Sequence, residues 1–316
     1  MRLAALSIDL DEVPQYCAIH GLSDVPELAR WAIYRHALPR FEALLARLNL
    51  PATAFAIGQD IHDPTAAIAI ARLHDAGHEI ANHSQDHLYN LTRLPGPEIE
   101  QQVVACSSAI EAVIGKRPVG FRAPGYTIND AVVSTLLEQG FVYDSSVFPC
   151  PPYYAAKGAA IAAMKLRGRT SHSVMDDPRV LSAPAEPYRM GKSFRSRGRG
   201  LLELPIGVTR GFTARLPFIG TSLTLAGPRG ARMLARAIIG RPLVNLELHG
   251  IDFADADADG LGFLAPHQPD LRVPLTRKLE CLQAAIDVLI AHDYQFVTLA
   301  DAAQYFGEVA SVQAGE

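Results

Sequence analysis

Two histidines four residues apart, His83 and His87 in the stretch GHEIANHSQDH (residues 77–87), have the spacing that one helical turn would bring to a single face. Two carboxylates near the N-terminus, Asp9 and Asp11, can complete them into a cation site. Two His plus one Asp leave coordination positions open for water and substrate, which suits a catalytic cation rather than a closed structural one. An isolated His pair at this spacing is common on helix surfaces, where both imidazoles are solvated or hydrogen-bonded. The company the pair keeps along the chain is what favours the cation.

Something must gather these side chains. Short apolar runs at residues 3–8, 52–57, 79–82, 119–121, 142–144, 201–208, 243–248 and 295–298 read as strands. Residues 41–48, 66–76, 98–114, 129–139, 228–239 and 276–292 repeat their apolar positions with helical spacing. Gly77 and Gly140 stand where helix C-caps belong, and Asn129 where an N-cap belongs. Strands without polar alternation, separated by helices, imply a parallel sheet covered by helices, and seven or eight such repeats fit an α/β barrel. Asp9 and Asp11 follow the first strand, His83 the third, Arg122 the fourth, Asp144 the fifth and His249 the seventh. The C-terminal strand ends of a barrel form its active face, so this distribution points to one shared site.

A chain of 316 residues with about half its residues apolar can bury one large core, and the expected organisation is a single domain over residues 1–316. The net charge of −4 favours neither nucleic acid nor an acidic membrane surface as partner. No stretch approaches the roughly 18 apolar residues of a membrane span. The N-terminal apolar run meets Asp9 too soon for a signal peptide. Cys17, Cys106, Cys150 and Cys281 lie far apart with no CxxC pair, which reads as free thiols in a reducing compartment, so a cytoplasmic protein is expected. Residues 149–200 break the rhythm with Pro, Gly, Ser and ten basic residues, an expected loop insertion or lid over the active face. It reads either as a solvated loop or as an anion-binding wall. Residues 212–225 read as core packing or as a lipid-accepting surface, which would permit peripheral membrane contact. The run Asp255, Asp257, Asp259, Gly260 has the first half of a calcium-loop pattern, but Pro266 stands where the closing carboxylate belongs, leaving an acidic loop.

Five motifs stand in order: SIDLDE (7–12), HSQDH (83–87), RAPGY (122–126), YDSS (143–146) and LELHG (246–250). Together, over roughly residues 3–298, they resemble the polysaccharide deacetylases, the NodB-homology group called carbohydrate esterase family 4. The resemblance implies a distorted (β/α)7-type barrel and metal-dependent hydrolysis of an N-acyl group from an amino sugar, glycan or glycolipid. It implies Asp11, His83 and His87 as ligands of a divalent cation, zinc by default, with cobalt, nickel or iron able to use the same set. It implies Asp9 as base, Arg122 as the residue orienting that base, His249 as general acid, and a backbone oxyanion donor at Tyr126. Tyr126 and Asp144 are candidates for substrate binding. The chain has Asp-Leu-Asp where many members have adjacent aspartates.

The chemistry asks for these residue types in its own right. An amide carbonyl is a poor electrophile, so a cation must polarise it and acidify a water. A carboxylate must take the water's proton, and a group of near-neutral pKa must protonate the departing amine. Asp252, three residues beyond His249, could hydrogen-bond and tune it. A deformylase or amidase acting on a non-acetyl or non-sugar amide would carry the same residues. A non-catalytic carbohydrate-binding protein would need the barrel but not both an open metal site and a distal acid.

Overall fold

The computed structural model describes residues 1–211 and 215–313. Its first strand, β1 (Leu3–Asp9), is buried along its whole length, as a strand covered on both faces must be. Strands β2 (Thr53–Ala56), β3 (Glu79–Asn82), β4 (Gly120–Phe121), β5 (Tyr143–Asp144), β6 (Tyr188–Met190), β7 (Arg197–Glu203) and β8 (Leu243–His249) form the order β6-β7-β5-β4-β3-β2-β1-β8, with β9 (Gln295–Phe296) also paired to β1. Every strand pairing is parallel except β6–β7. The sheet curls until residues after β7 reach β8, where Gly207 N–H donates to Asn245 O at 2.8 Å and Asn245 Nδ2 to Leu204 O at 3.2 Å. The result is the distorted barrel that the sequence implies, joined there by single bonds instead of a full ladder.

Strand parity decides what faces where. Leu3, Ala5, Phe55, Ala81, Tyr143, Leu202 and Leu243 fill the interior as one apolar cluster. Ala4, Leu6 and Ile8 of β1 point the other way, into the helical layer with Phe41, Ile70 and Leu282. Further along the same strands the inward positions change character: Ser7 and Asp9 on β1, and Asn245, Glu247 and His249 on β8, are all polar. The barrel is therefore plugged by hydrocarbon at one end and lined with chemistry at the other.

The helices are α1 (Val13–Ile19), α2 (Leu38–Leu48), α3 (Pro64–Asp75), α4 (Gly96–Ile114), α5 (Asp130–Glu138), α6 (Pro151–Leu166), α7 (Gly220–Ile238), α8 (Leu275–Ala291) and α9 (Leu299–Gln313). Asn129 caps α5 by accepting from Val132 N–H at 2.9 Å, and Gly77 and Gly140 take left-handed φ values of 87° and 76° just beyond α3 and α5, as their positions suggest. Three helices escape the sequence pattern. α1 is short. α6 begins with Pro151-Pro152, which reads as a break but occupies the first turn, where proline is welcome. α9 is the third.

Two further expectations need correction. The segment 149–200 is not an irregular loop: it holds α6 and the β6–β7 hairpin. Helix α7 starts at Gly220, eight residues before the predicted start, because a turn of helix precedes Pro228 and joins it across a kink at Gly227. Of residues 212–225, Phe212 lies outside the described residues, Phe218 and Leu223 are core, and Leu216 and Leu225 are exposed. The acidic loop spends Asp259 on Arg40 (2.5 and 2.8 Å) and Asp255 on the Asp257 and Ala258 amides.

Candidate active site

Asp9 ends β1, and the chain stays extended through Leu10, whose N–H donates to Phe55 O at 3.1 Å, so Asp9 and Asp11 lie on one side. Asp11 Oδ1 stands 3.4 Å from His83 Nε2 and 3.1 Å from His87 Nε2. The expected helical turn is absent here, which corrects the geometric reading of the His pair. HSQDH is a loop leaving β3, with left-handed φ at Ser84 (65°) and His87 (51°) that folds the two rings to a 4.9 Å centroid separation. Side chains and backbone hold this loop. Asn82 Oδ1 accepts from Ser84 N–H at 2.8 Å, Gly58 and Gln59 donate to Ser84 O and Gln85 O, and Gln102 clasps Asp86 at both ends. A side chain at residue 58 would put its Cβ 2.1 Å from Gln85 Oε1 and 2.8 Å from Cys106 Cα, so only glycine fits there.

The donor set suits a cation. Asp11 Oδ1, His87 Nδ1 and His87 Nε2 are buried without hydrogen-bond partners, an expensive arrangement unless something else binds them. His83 Nδ1 is 2.7 Å from Arg122 O, which fixes the proton there and frees Nε2 toward Asp11. Burial alone would raise the Asp11 carboxyl, but His87, His83 and His249 overcome it and hold the pKa well below the usual range. Burial pushes His87 down, favouring the neutral ring that ligates metal. A second trio, Asp9, Glu247 and His249, is equally close, but Arg122 pairs with Asp9 and senses Glu247.

Arg122 is fully buried and its guanidinium is spoken for. Nη1 donates to Asp9 Oδ1 at 2.7 Å, Nη2 to Ser7 Oγ (2.9 Å) and Ser145 Oγ (3.0 Å), and Nε to Ser145 O (3.0 Å), while the Phe55 ring lies 4.1 Å from Cζ. Asn245 links the same two serines, accepting from Ser7 Oγ and donating to Ser145 Oγ. One oxygen of Asp9 is thereby pinned; the other, Oδ2, stands 3.8 Å from His83 Nε2.

A cleft of about 350 Å³ opens above these groups, lined by Asp9, Asp11, His83 and His249 with the rings of Tyr16, Tyr89, Tyr126 and Tyr153. Tyr126 takes a left-handed φ of 61°, rare for a bulky residue and a mark of functional loops. Its hydroxyl is buried without a partner, but its N–H already donates to Ala123 O at 3.0 Å, which removes the expected oxyanion donor. Asp144 does not reach the cleft, so its proposed substrate contact is corrected. It accepts from Ser146 Oγ at 2.6 Å and Ser146 N, and Ser146 Oγ in turn accepts from Ala123 N–H. Burial raises the carboxyls of both Asp144 and its neighbour Glu203 beneath the RAPGY turn.

Sequence comparison matches residues 30–143 to the polysaccharide deacetylase family. A peptidoglycan deacetylase of Helicobacter pylori is 29% identical over 160 residues, 49% of this chain and 54% of that protein. A peptidoglycan-N-acetylglucosamine deacetylase of Bacillus cereus is 32% identical over 103 residues, 33% of this chain and 46% of that one. The chain thus spans about half the length of these curated relatives. Among solved structures, a polysaccharide deacetylase from Mycobacterium smegmatis superposes with TM-score 0.57 at 20% identity over 96% of this chain and 90% of its own. A family 4 pseudoenzyme from Bacillus anthracis gives 0.51 at 14% identity, covering 96% and 66%. The fold is therefore shared with an inactive relative, and activity has to be argued from the side chains.

The partner of His249 is Glu247, whose Oε1 lies 2.8 Å from His249 Nδ1. Asp252, the expected partner, instead accepts from the His249 backbone N–H at 2.9 Å. The signal was present: residues i and i+2 of a strand share a face. Burial opposes a charge on His249, but Glu247, and then Asp11 and Asp9, outweigh it and lift the pKa well above the ordinary imidazole range. A group raised in this way stays protonated to higher pH and loses its proton as pH climbs through the elevated value. If it serves as the acid, activity falls along that limb. Glu247→Gln is therefore expected to move the alkaline limb of kcat/KM to lower pH while leaving the acid limb in place. An unmoved alkaline limb in a pH–rate profile would separate His249 from this role.

Proposed function

We propose that the chain is a metal-dependent de-N-acetylase of an N-acetylated amino sugar in a glycan, glycolipid or carrier-linked precursor. The observation that carries this reading is the convergence of three functions at one cleft: Asp11 and His83 on its wall, with His87 against Asp11 as the third ligand, Asp9 held by Arg122 on one flank, and His249 held by Glu247 on another. A divalent cation, zinc by its His2Asp preference, would there polarise the acyl oxygen and acidify a water. Asp9 Oδ2, with Arg122 fixing its other oxygen, is the acceptor for that water's proton. His249 Nε2, charged because of Glu247, is the donor to the departing nitrogen. The tyrosine rings around the cleft suit the apolar faces of a sugar, and its volume suits one hexosamine unit. Helix α6 supplies one wall of the cleft through Pro152, Tyr153, Ala156 and Lys157, so we assign the inserted segment to substrate binding. The four cysteines are free and buried, which supports a reducing, cytoplasmic setting.

The test is acetate release. The zinc-loaded protein, incubated with N-acetylated chitooligosaccharides, peptidoglycan fragments and lipid-linked amino sugars, is expected to free acetate from at least one class, and a chelator to stop it. Release of formate but not acetate from matched N-formyl compounds would instead establish a deformylase.

A further inference from the structure

Ten basic residues fall within 149–200, and four of them bond to other parts of the protein. Arg169 donates to His20 O, Arg179 pairs with Asp177, Arg189 donates to Gly200 O and Arg195 to Ser182 Oγ. Lys157 alone of the ten lines the cleft that holds Asp9, Asp11 and His249. It projects from α6, and its Nζ donates to Gly125 O at 3.0 Å, beside Tyr89 and within the RAPGY turn.

An ammonium has three N–H donors, and this one commits a single donor to the protein. Among the described residues no carboxylate stands within ion-pair reach, 4.0 Å, of its nitrogen. The nearest acid to influence it, Asp176, acts from further away. Asp176 accepts the Ile128 and Asp177 amides through Oδ1, and burial lifts its pKa to about 7, so it is an incomplete counter-charge. Burial in turn pushes the Lys157 ammonium down to about 8. A half-buried cation with two spare donors and no close anionic partner, on the wall of a substrate cleft, is costly to keep unless the ligand brings the anion.

We propose that Lys157 is a specificity-determining residue that binds an anionic substituent, carboxylate or phosphate, carried by the amino sugar whose acetamido group enters the metal end of the cleft. This rests on the deacetylase reading above and narrows it to acidic substrates.

The test compares the zinc-loaded wild type with Lys157→Gln, which keeps an N–H donor for Gly125 O and removes the charge. Three probes are used: N-acetylglucosamine oligomers, the corresponding 3-O-lactyl (carboxylate) compound, and a phosphorylated N-acetylglucosamine. The variant is expected to lose at least about tenfold in kcat/KM, through KM, on one or both anionic probes, and to stay within roughly threefold on the neutral oligomer. Loss confined to the lactyl or to the phosphate compound identifies the source of the anion. Equal losses on all three would reduce Lys157 to a support for the RAPGY turn, and no loss on any would remove it from recognition; either overturns the proposal. Dissociation constants for the same probes separate this inference from the activity itself. Selective weakening of anion binding without acetate release from any probe would keep the lysine's role and refute the deacetylase, whereas binding indifferent to charge in both proteins refutes the lysine's role.

Discussion

Asp9→Asn is expected to lower kcat for acetate release by about 10²–10⁴-fold, the usual contribution of a positioned general base. The amide oxygen of asparagine can still accept from Arg122 Nη1, so the carboxylate's position survives while its proton affinity does not. The substitution also strips a fully buried Arg122 of its closest counter-charge, and breaking such a pair costs about 3–5 kcal/mol. Denaturant melts must therefore accompany the kinetics, with rates expressed per folded molecule. A variant that keeps kcat within about threefold of wild type, far short of the loss a general base should cause, would remove Asp9 from the base role.

His87→Ala should be as damaging by a different route. His87 contributes one of the three ligand atoms of the Asp11–His83–His87 set, and the left-handed backbone at residue 87 aims it there. Altering groups that merely hydrogen-bond to metal ligands costs 10–100-fold in affinity, so losing a ligand outright should weaken metal binding by at least about 100-fold. Ligand-linked stability gives a second readout. Metal that binds the folded state alone raises the Tm of the wild type, and that rise should vanish in the variant. The metal-free variant need not be less stable than the metal-free wild type, because the wild type then carries two unpartnered His87 nitrogens in a buried site.

Much of this arrangement was legible beforehand, for reasons that are physical. The strands announced themselves because a parallel sheet covered on both faces needs unbroken apolar runs, and β1 and β8 have them. The active face followed because Asp9, His83, Arg122 and His249 each sit at or just past a strand's C-terminal end. What stayed hidden depended on information that periodicity does not carry. The His83–His87 pair looks helical by spacing, yet backbone bonds from Gly58 and Gln59 and the clasp of Gln102 on Asp86 impose a loop with two positive φ angles. Helix α6 was masked because two prolines and a run of alanines show neither a strong apolar stripe nor an obvious cap, and none of its residues is fully buried. Asp144 looked like a site residue because it ends a strand. Its side chain is drawn instead into bonds with Ser146 and Glu203 beneath the turn. The partner of His249 precedes it: the strand's two-residue repeat puts Glu247 on the same face as His249.

The most direct test of the metal centre is a stoichiometry. Metal-free wild-type protein titrated with zinc, and measured by elemental analysis after removal of free ion, is expected to retain about one equivalent, and His87→Ala far less under the same conditions. Retention of under about 0.1 equivalents by the wild type, or equal retention by the two proteins, would contradict a cation held by Asp11, His83 and His87.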